Sequence, residues 1–150
     1  MAQFIALLPD KELKDLQKLS INAEKMLGEM TKAGAETVER NIIKNAPDGI
    51  REEPQIMDKL KLSRIYKTPS DDGINTKVAF YYGAGDDGYF INRNGVKTPI
   101  PLVLNMFEFG SSKREYPKSP FIRKSFRKSE IEQAMKKVQE KYLKGTMLDE

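Results

Sequence analysis

Polar and apolar positions change period along the chain. From Asp10 to Asn45, Leu13, Leu16, Leu19, Ala23, Met26, Leu27, Met30, Val38 and Ile42 recur at steps of three, four or nearby multiples. That spacing keeps one helix face apolar and predicts an amphipathic helix over about 10–45, with Asp10 after Pro9 as its N-cap. Gly28 and Gly34 lie inside it, and each costs about 1 kcal/mol relative to alanine in a helix. They predict a bend near "GEMTKAGA", or a close neighbour admitted by small residues. "NAPDG" then stops the helix, because the residue before Pro47 is pushed out of helical geometry and Asp48-Gly49 favours a turn.

From Lys59 the pattern shortens. "LKLSRIY" alternates at Leu60 and Leu62, "INTKVAFYY" is rich in β-branched and aromatic residues, and "KTPSDDG" between them is a turn cluster. Together they predict two antiparallel strands. The stretch from Gly83 to Pro101, with four glycines, reads as a long loop, and loops of that length in compact domains are usually functional or disordered. "LVLNMFEFG", Leu102 to Gly110, predicts a third strand. Ser119 and Pro120 look like an N-cap and first helical residue, so the final helix is expected over about 119–144, with Phe121, Ile122, Phe126, Ile131, Ala134, Met135, Val138 and Tyr142 on or near its buried stripe. A restart at Ser129, with Glu132 completing a capping box, is the alternative. The expectation is one α+β domain over residues 1–150, a small antiparallel sheet (strands and long loop about 59–110) with a long N-terminal helix and a C-terminal helix packed on it. So small a sheet leaves edges and apolar surface for neighbouring subunits.

Composition sharpens this picture. With 39% hydrophobic and 32% charged residues, a chain of 150 residues is rather polar, which implies a thin core, long solvated elements or surface covered only by partners. Cysteine and histidine are both absent. That excludes disulfides, thiolate zinc sites, thiol nucleophiles, the usual histidine-dependent triads and an imidazole base, leaving carboxylates, lysines and tyrosines as candidate chemistry. The expectation is a protein that is not an enzyme and uses no cofactor or metal. "MAQFIALLPDKEL" lacks the cationic run and cleavage pattern of a secretory signal, and no stretch approaches the ~20 apolar residues of a membrane span. Intracellular assembly without a membrane partner is therefore expected.

Charge is uneven although the net is only +4. Between Lys113 and Lys144 there are eleven Lys/Arg against four Asp/Glu, while residues 1–112 carry fifteen against sixteen. Arg123, Lys124, Arg127, Lys128, Lys136, Lys137, Lys141 and Lys144 could neutralise phosphates, which makes a DNA-binding module the alternative function. They interleave with Glu130, Glu132 and Glu140 and lack an aromatic platform, so a solvated face or one meeting an acidic partner is favoured. Asp71-Asp72 and Asp86-Asp87 are paired carboxylates that could serve Mg²⁺ or Ca²⁺ in a metal nuclease, yet each precedes glycine in ordinary turn chemistry. "GAGDDG" lacks the lysine and the strand-to-helix context of a phosphate-binding loop.

The most specific signal lies in "FEFGSSKREYPKSPFIRKSF". Phe107-Glu108-Phe109-Gly110, a polar spacer, Pro120-Phe121-Ile122-Arg123 and a closing amphipathic helix resemble the tail-component family of long-tailed bacteriophages. Members of that family have an aromatic-Glu-Phe-Gly-Thr/Ser stretch followed by Pro-Phe-(Leu/Ile)-Arg. The Ala46-Pro47 dipeptide after a long first helix and the strand "LKLSRIY" are also similar. The chain departs from the pattern in "DGIREEPQIMDK" after Ala-Pro, where the family has Thr-Gly, and in the expanded Gly83–Pro101 stretch. The resemblance implies a virion structural protein of the neck, present in the bacterial host cytoplasm before assembly. Its implied role is tail completion or head-to-tail joining, as a homo-oligomeric, six-fold ring between the head-connector and tail-tube proteins, with DNA passing nearby.

Overall fold

A computed structural model describes the backbone of residues 10–70, 72–113 and 117–147, and side chains within that span from Ser20 to Gly145. The order is α1 (Asp10–Asn45), α2 (Asp48–Arg51), α3 (Pro54–Met57), β1 (Leu60–Leu62), β2 (Tyr66–Lys67), β3 (Ile74–Asn75), β4 (Val78–Phe80), a 3-10 turn Gly85–Gly88, β5 (Tyr89–Ile91), β6 (Lys97–Pro99), α4 (Ile100–Phe109), a 3-10 turn Arg123–Ser125 and α5 (Lys128–Met147). The fold is α+β, with small antiparallel ladders beside a long first and a last helix.

The first helix has the extent its periodicity predicts. Its 36 residues make a rod about 54 Å long at 1.5 Å per residue. Neither glycine breaks it; a Cβ on Gly28 would lie 3.2 Å from Ile65, and one on Gly34 would lie 3.1 Å from Ile131. The glycines therefore admit the β-hairpin at one level and α5 at the other. The helix α5 runs antiparallel to α1, since Asn41 meets Glu130, Gly34 meets Ile131 and Met135, and Glu29 meets Tyr142. Among the described side chains, the apolar stripe is covered in the second half of the helix. Ala35, Val38, Ile42 and Ala46 are buried, whereas Ala23 and Leu27 are exposed; Leu13, Leu16 and Leu19 lie outside the described side chains.

The predicted strand pair is present as one hairpin in two rungs. Leu60, Lys61 and Leu62 pair with Phe80, Ala79 and Val78, and Tyr66 and Lys67 pair with Asn75 and Ile74. Near its tip Asp72 sits at φ 53°, the left-handed geometry that aspartate tolerates better than most side chains.

Three expectations are corrected. The stretch from Gly83 to Pro101 is not a loop but the 3-10 turn followed by the β5–β6 hairpin, with Phe90 opposite Thr98 and Ile91 opposite Lys97. The Asn92 carboxamide oxygen accepts from the N–H groups of Asn94 and Val96, and Gly95 at φ 76° completes the turn. "LVLNMFEFG" is not a strand but most of α4. Pro99 and Pro101 fix the entry to a helix whose first turn needs no donors, and Ile100, Leu104 and Glu108 are buried at helical spacing. The last helix does not start at Ser119-Pro120; it starts at Lys128, close to the alternative restart. Phe126, at φ −85° and ψ 72°, leaves helical geometry and separates the Arg123–Ser125 turn from α5.

The core gathers at the C-terminal end of α1. Val38, Ile42 and Ala46 meet Ile50, Ile56 and Leu60 from the following elements, Ile100 and Leu104 from α4, and Phe121 from the segment before α5. Phe121 is 1% exposed, so the segment just before the second 3-10 turn is anchored in the core.

Candidate functional site

The two motif stretches, Phe107–Gly110 and Pro120–Arg123, form one joint. Pairing of Glu108 with the chain twelve and more residues later makes it. Helix α4 turns Glu108 inward one turn beyond Leu104, so that its side chain is only 5% exposed. One carboxylate oxygen accepts from the Ile122 backbone N–H at 3.0 Å; the other accepts from the Arg123 N–H at 3.0 Å and from Arg123 Nε at 3.1 Å. A buried carboxylate without partners would be costly, and here both oxygens are satisfied. The Arg123 guanidinium, held at one edge by Glu108, lies 4.8 Å from the centre of the Phe109 ring. Cation and ring thereby stack over the outside of the joint.

Backbone geometry completes it. Gly110 ends α4 with φ 74° and ψ 177°, a region essentially reserved for glycine, and its N–H still bonds Met106. The returning chain is fastened to α4 by the Ser119 N–H donating to the Phe107 carbonyl at 2.8 Å. Ser125 is fully buried; its hydroxyl donates to the Phe121 carbonyl and accepts from Asn45 of α1. Asn41 donates to the Ser125 carbonyl at 3.3 Å and to Glu130 at 2.7 Å. The joint therefore locks α1, α4 and α5 to one another. Asn41, Asn45 and Ser125 carry this locking, and sequence reasoning passed over them because isolated polar residues on a helix face give no periodic signal.

Among the aromatics of this stretch, Phe126, expected on or near the buried stripe, is instead exposed. Phe107 packs against the core and Phe121 lies inside it, but Phe109 is 59% and Phe126 56% exposed. Phe126 does not fasten a helix to the core, because it sits in the break between the 3-10 turn and α5.

The cations expected on a single helix are divided between two elements. Arg123 and Lys124 lie on the 3-10 turn, Arg127 precedes α5, and Lys128, Lys136 and Lys137 belong to α5; all six are exposed. Arg127 reaches Glu130 at 3.5 Å and Lys128 reaches Glu132 at 3.7 Å. Such exposed pairs contribute about 0–1 kcal/mol each, so their effect is mainly to dilute the positive field.

The second carboxylate pair, Asp86-Asp87, is held by lysines. Asp87 accepts from Lys59 and from the Gly83 N–H, and Asp86 pairs with Lys97, whose ammonium also lies over the Tyr89 ring. The Lys59 hydrogen bond first, and then the Gly83 N–H, hold Asp87 below its ordinary carboxylate range. Asp71 lies outside the described residues. Among the described residues no group of three or more His, Cys, Asp and Glu could hold a metal ion, and no helix is long and apolar enough to cross a membrane. Comparison with family models, curated proteins and solved structures finds no match for this chain.

Proposed function

We propose that this protein is a structural component of a tailed-phage virion, acting in the neck in tail completion or head-to-tail joining. Copies of it form a closed, six-fold ring between the head connector and the tail tube. The observation that carries this reading is the Glu108 joint, because the two separated stretches that resemble the phage tail-component family act as one structural unit. A shared motif with a joint role makes sense of why an aromatic-Glu-Phe-Gly stretch should accompany Pro-Phe-Ile-Arg.

Other features support an assembly role. Tyr81, Tyr82, Tyr89, Ile91 and Val96 leave apolar area exposed around the second hairpin, as expected of surface that subunits cover. Two-stranded ladders also leave edges available to a neighbour. The test is loss of the protein during phage growth. Without it, filled heads and tails should accumulate unjoined, and added purified protein should restore joining; normal particles in its absence would refute the role.

A second reading, binding to duplex DNA, draws on the six exposed cations from Arg123 to Lys137. Tight binding with a steep salt slope and a sequence preference would favour it; weak binding would favour the assembly protein.

A further inference from the structure

We propose that the exposed Phe126, with Lys124 and Arg127 beside it, docks into the groove between the α2–α3 pair and the β5–β6 hairpin of a second copy of this chain. This deepens the ring reading and rests on it. The groove is lined by Phe90 and Ile91, by the acids Asp48, Glu52 and Glu53, and by a single cation, Arg93. Ile91 is 49% exposed, and the Asp48 side chain is 82% exposed and, among the described residues, pairs only with Arg51, at 3.7 Å. An apolar strip bordered by three carboxylates calls for an apolar group carried between cations. Phe126 fits that description: it is 56% exposed, with Arg127 directly after it and Lys124 two positions before it in sequence.

Both halves are preformed. The Gln55 carboxamide donates to the Ile91 carbonyl at 3.1 Å and accepts from its N–H at 3.0 Å, which pins β5 against α3 and fixes the groove. Glu108 and Asn41 fix the chain on which Phe126 stands. Preorganised partners lose little conformational freedom on docking. Among the described residues no ion pair joins the two sets within one chain; Asp48 meets Arg51 and Arg127 meets Glu130 only in exposed pairs, which a contact between chains can replace. The groove and the Phe126 projection share no residue, which makes the contact heterologous; repeated from copy to copy, it builds a ring or an open filament.

Charge exchange tests this directly, with association followed by sedimentation velocity and folding checked by circular dichroism. D48K/E52K alone and K124E/R127E alone should each weaken self-association roughly ten-fold or more. An equimolar mixture of the two should restore it, because each altered groove then meets an oppositely charged projection. As a second measurement, F126C and I91C on separate chains should cross-link on oxidation. The chain has no cysteine of its own, so a disulfide between the two variants, told by a mass tag on one of them from the dimers each forms with itself, reports this contact alone. If the variants associate as the wild type does, or the mixture fails to recover and no cross-link forms, this interface is wrong while the ring reading stands. If the wild type stays monomeric alone and with connector and tail tube, both fall.

Discussion

Replacing Glu108 with alanine should cost about 3–5 kcal/mol, chiefly the loss of two charge-assisted hydrogen bonds that backbone donors make to its buried carboxylate. The structure says where that loss comes from. Two backbone N–H groups, of Ile122 and Arg123, donate to the carboxylate, and hydrogen bonds to a charged acceptor contribute about 1.5–3 kcal/mol each. The Arg123 side chain adds less, since it is 53% exposed and such pairs contribute about 0–1 kcal/mol. The expected order is therefore Glu108→Ala above Glu108→Gln, at about 2–3 kcal/mol because one oxygen acceptor survives, above Arg123→Ala at about 1 kcal/mol. Urea unfolding followed by far-ultraviolet circular dichroism measures all three, and hydrogen exchange at Ile122 and Arg123 reports the joint locally. Domains have total stabilities of about 5–15 kcal/mol, so the alanine variant should remain folded but with a clearly lower midpoint. Equal costs for Glu108→Ala and Arg123→Ala would refute the reasoning, because the ion pair and not the backbone bonds would then hold the joint.

The remaining predictions probe neighbouring links. Gly110→Ala should cost about 1–3 kcal/mol by thermal unfolding, since φ 74° with ψ 177° strains any side chain. Gly34→Val should cost about 1–3 kcal/mol in the same assay, because its Cβ would already stand 3.1 Å from Ile131 before the added methyl groups push α5 away. Phe121→Ala should cost about 3–5 kcal/mol in urea unfolding, whereas the exposed Phe126→Ala should stay within about 0.5 kcal/mol of wild type. For pH, the folded Asp87 titrates below the ordinary 3.8. Its contribution is thus present above that value and lost as pH falls through the lower folded one. Carboxyl nuclear magnetic resonance should show Asp87 titrating below 3.8, with the Gly83 amide losing protection in the same window.

Much of the scaffold was legible because it rests on period and punctuation. The extent of α1 follows from its 3.6-residue spacing and from Pro47, and the β1–β4 pairing follows from two β-rich runs around a turn cluster. α4 was misread because "LVLNMFEFG" is apolar on nearly every position, and a run of that kind is compatible with a strand or a buried helix. Pro99 and Pro101 just before it were the discriminating signal, since they suit a helix start. The β5–β6 hairpin was hidden among glycines, although Asn94-Gly95 between Phe90-Ile91 and Val96 is a recognisable turn pattern. The motif residues were found in sequence, but their contact was not. Glu108 and Arg123 lie fifteen positions apart, and only the three-dimensional return of the chain over α4 brings carboxylate to N–H. Asn41, Asn45 and Ser125 act through equally long-range bonds, which local pattern cannot encode.

The most direct test of the proposed neck role is electron microscopy of the purified protein mixed with tail-tube and head-connector proteins of a tailed phage. Closed rings of this chain seated between tube and connector, with six copies each, are the expected result. Monomers that join neither partner at high concentration would contradict it.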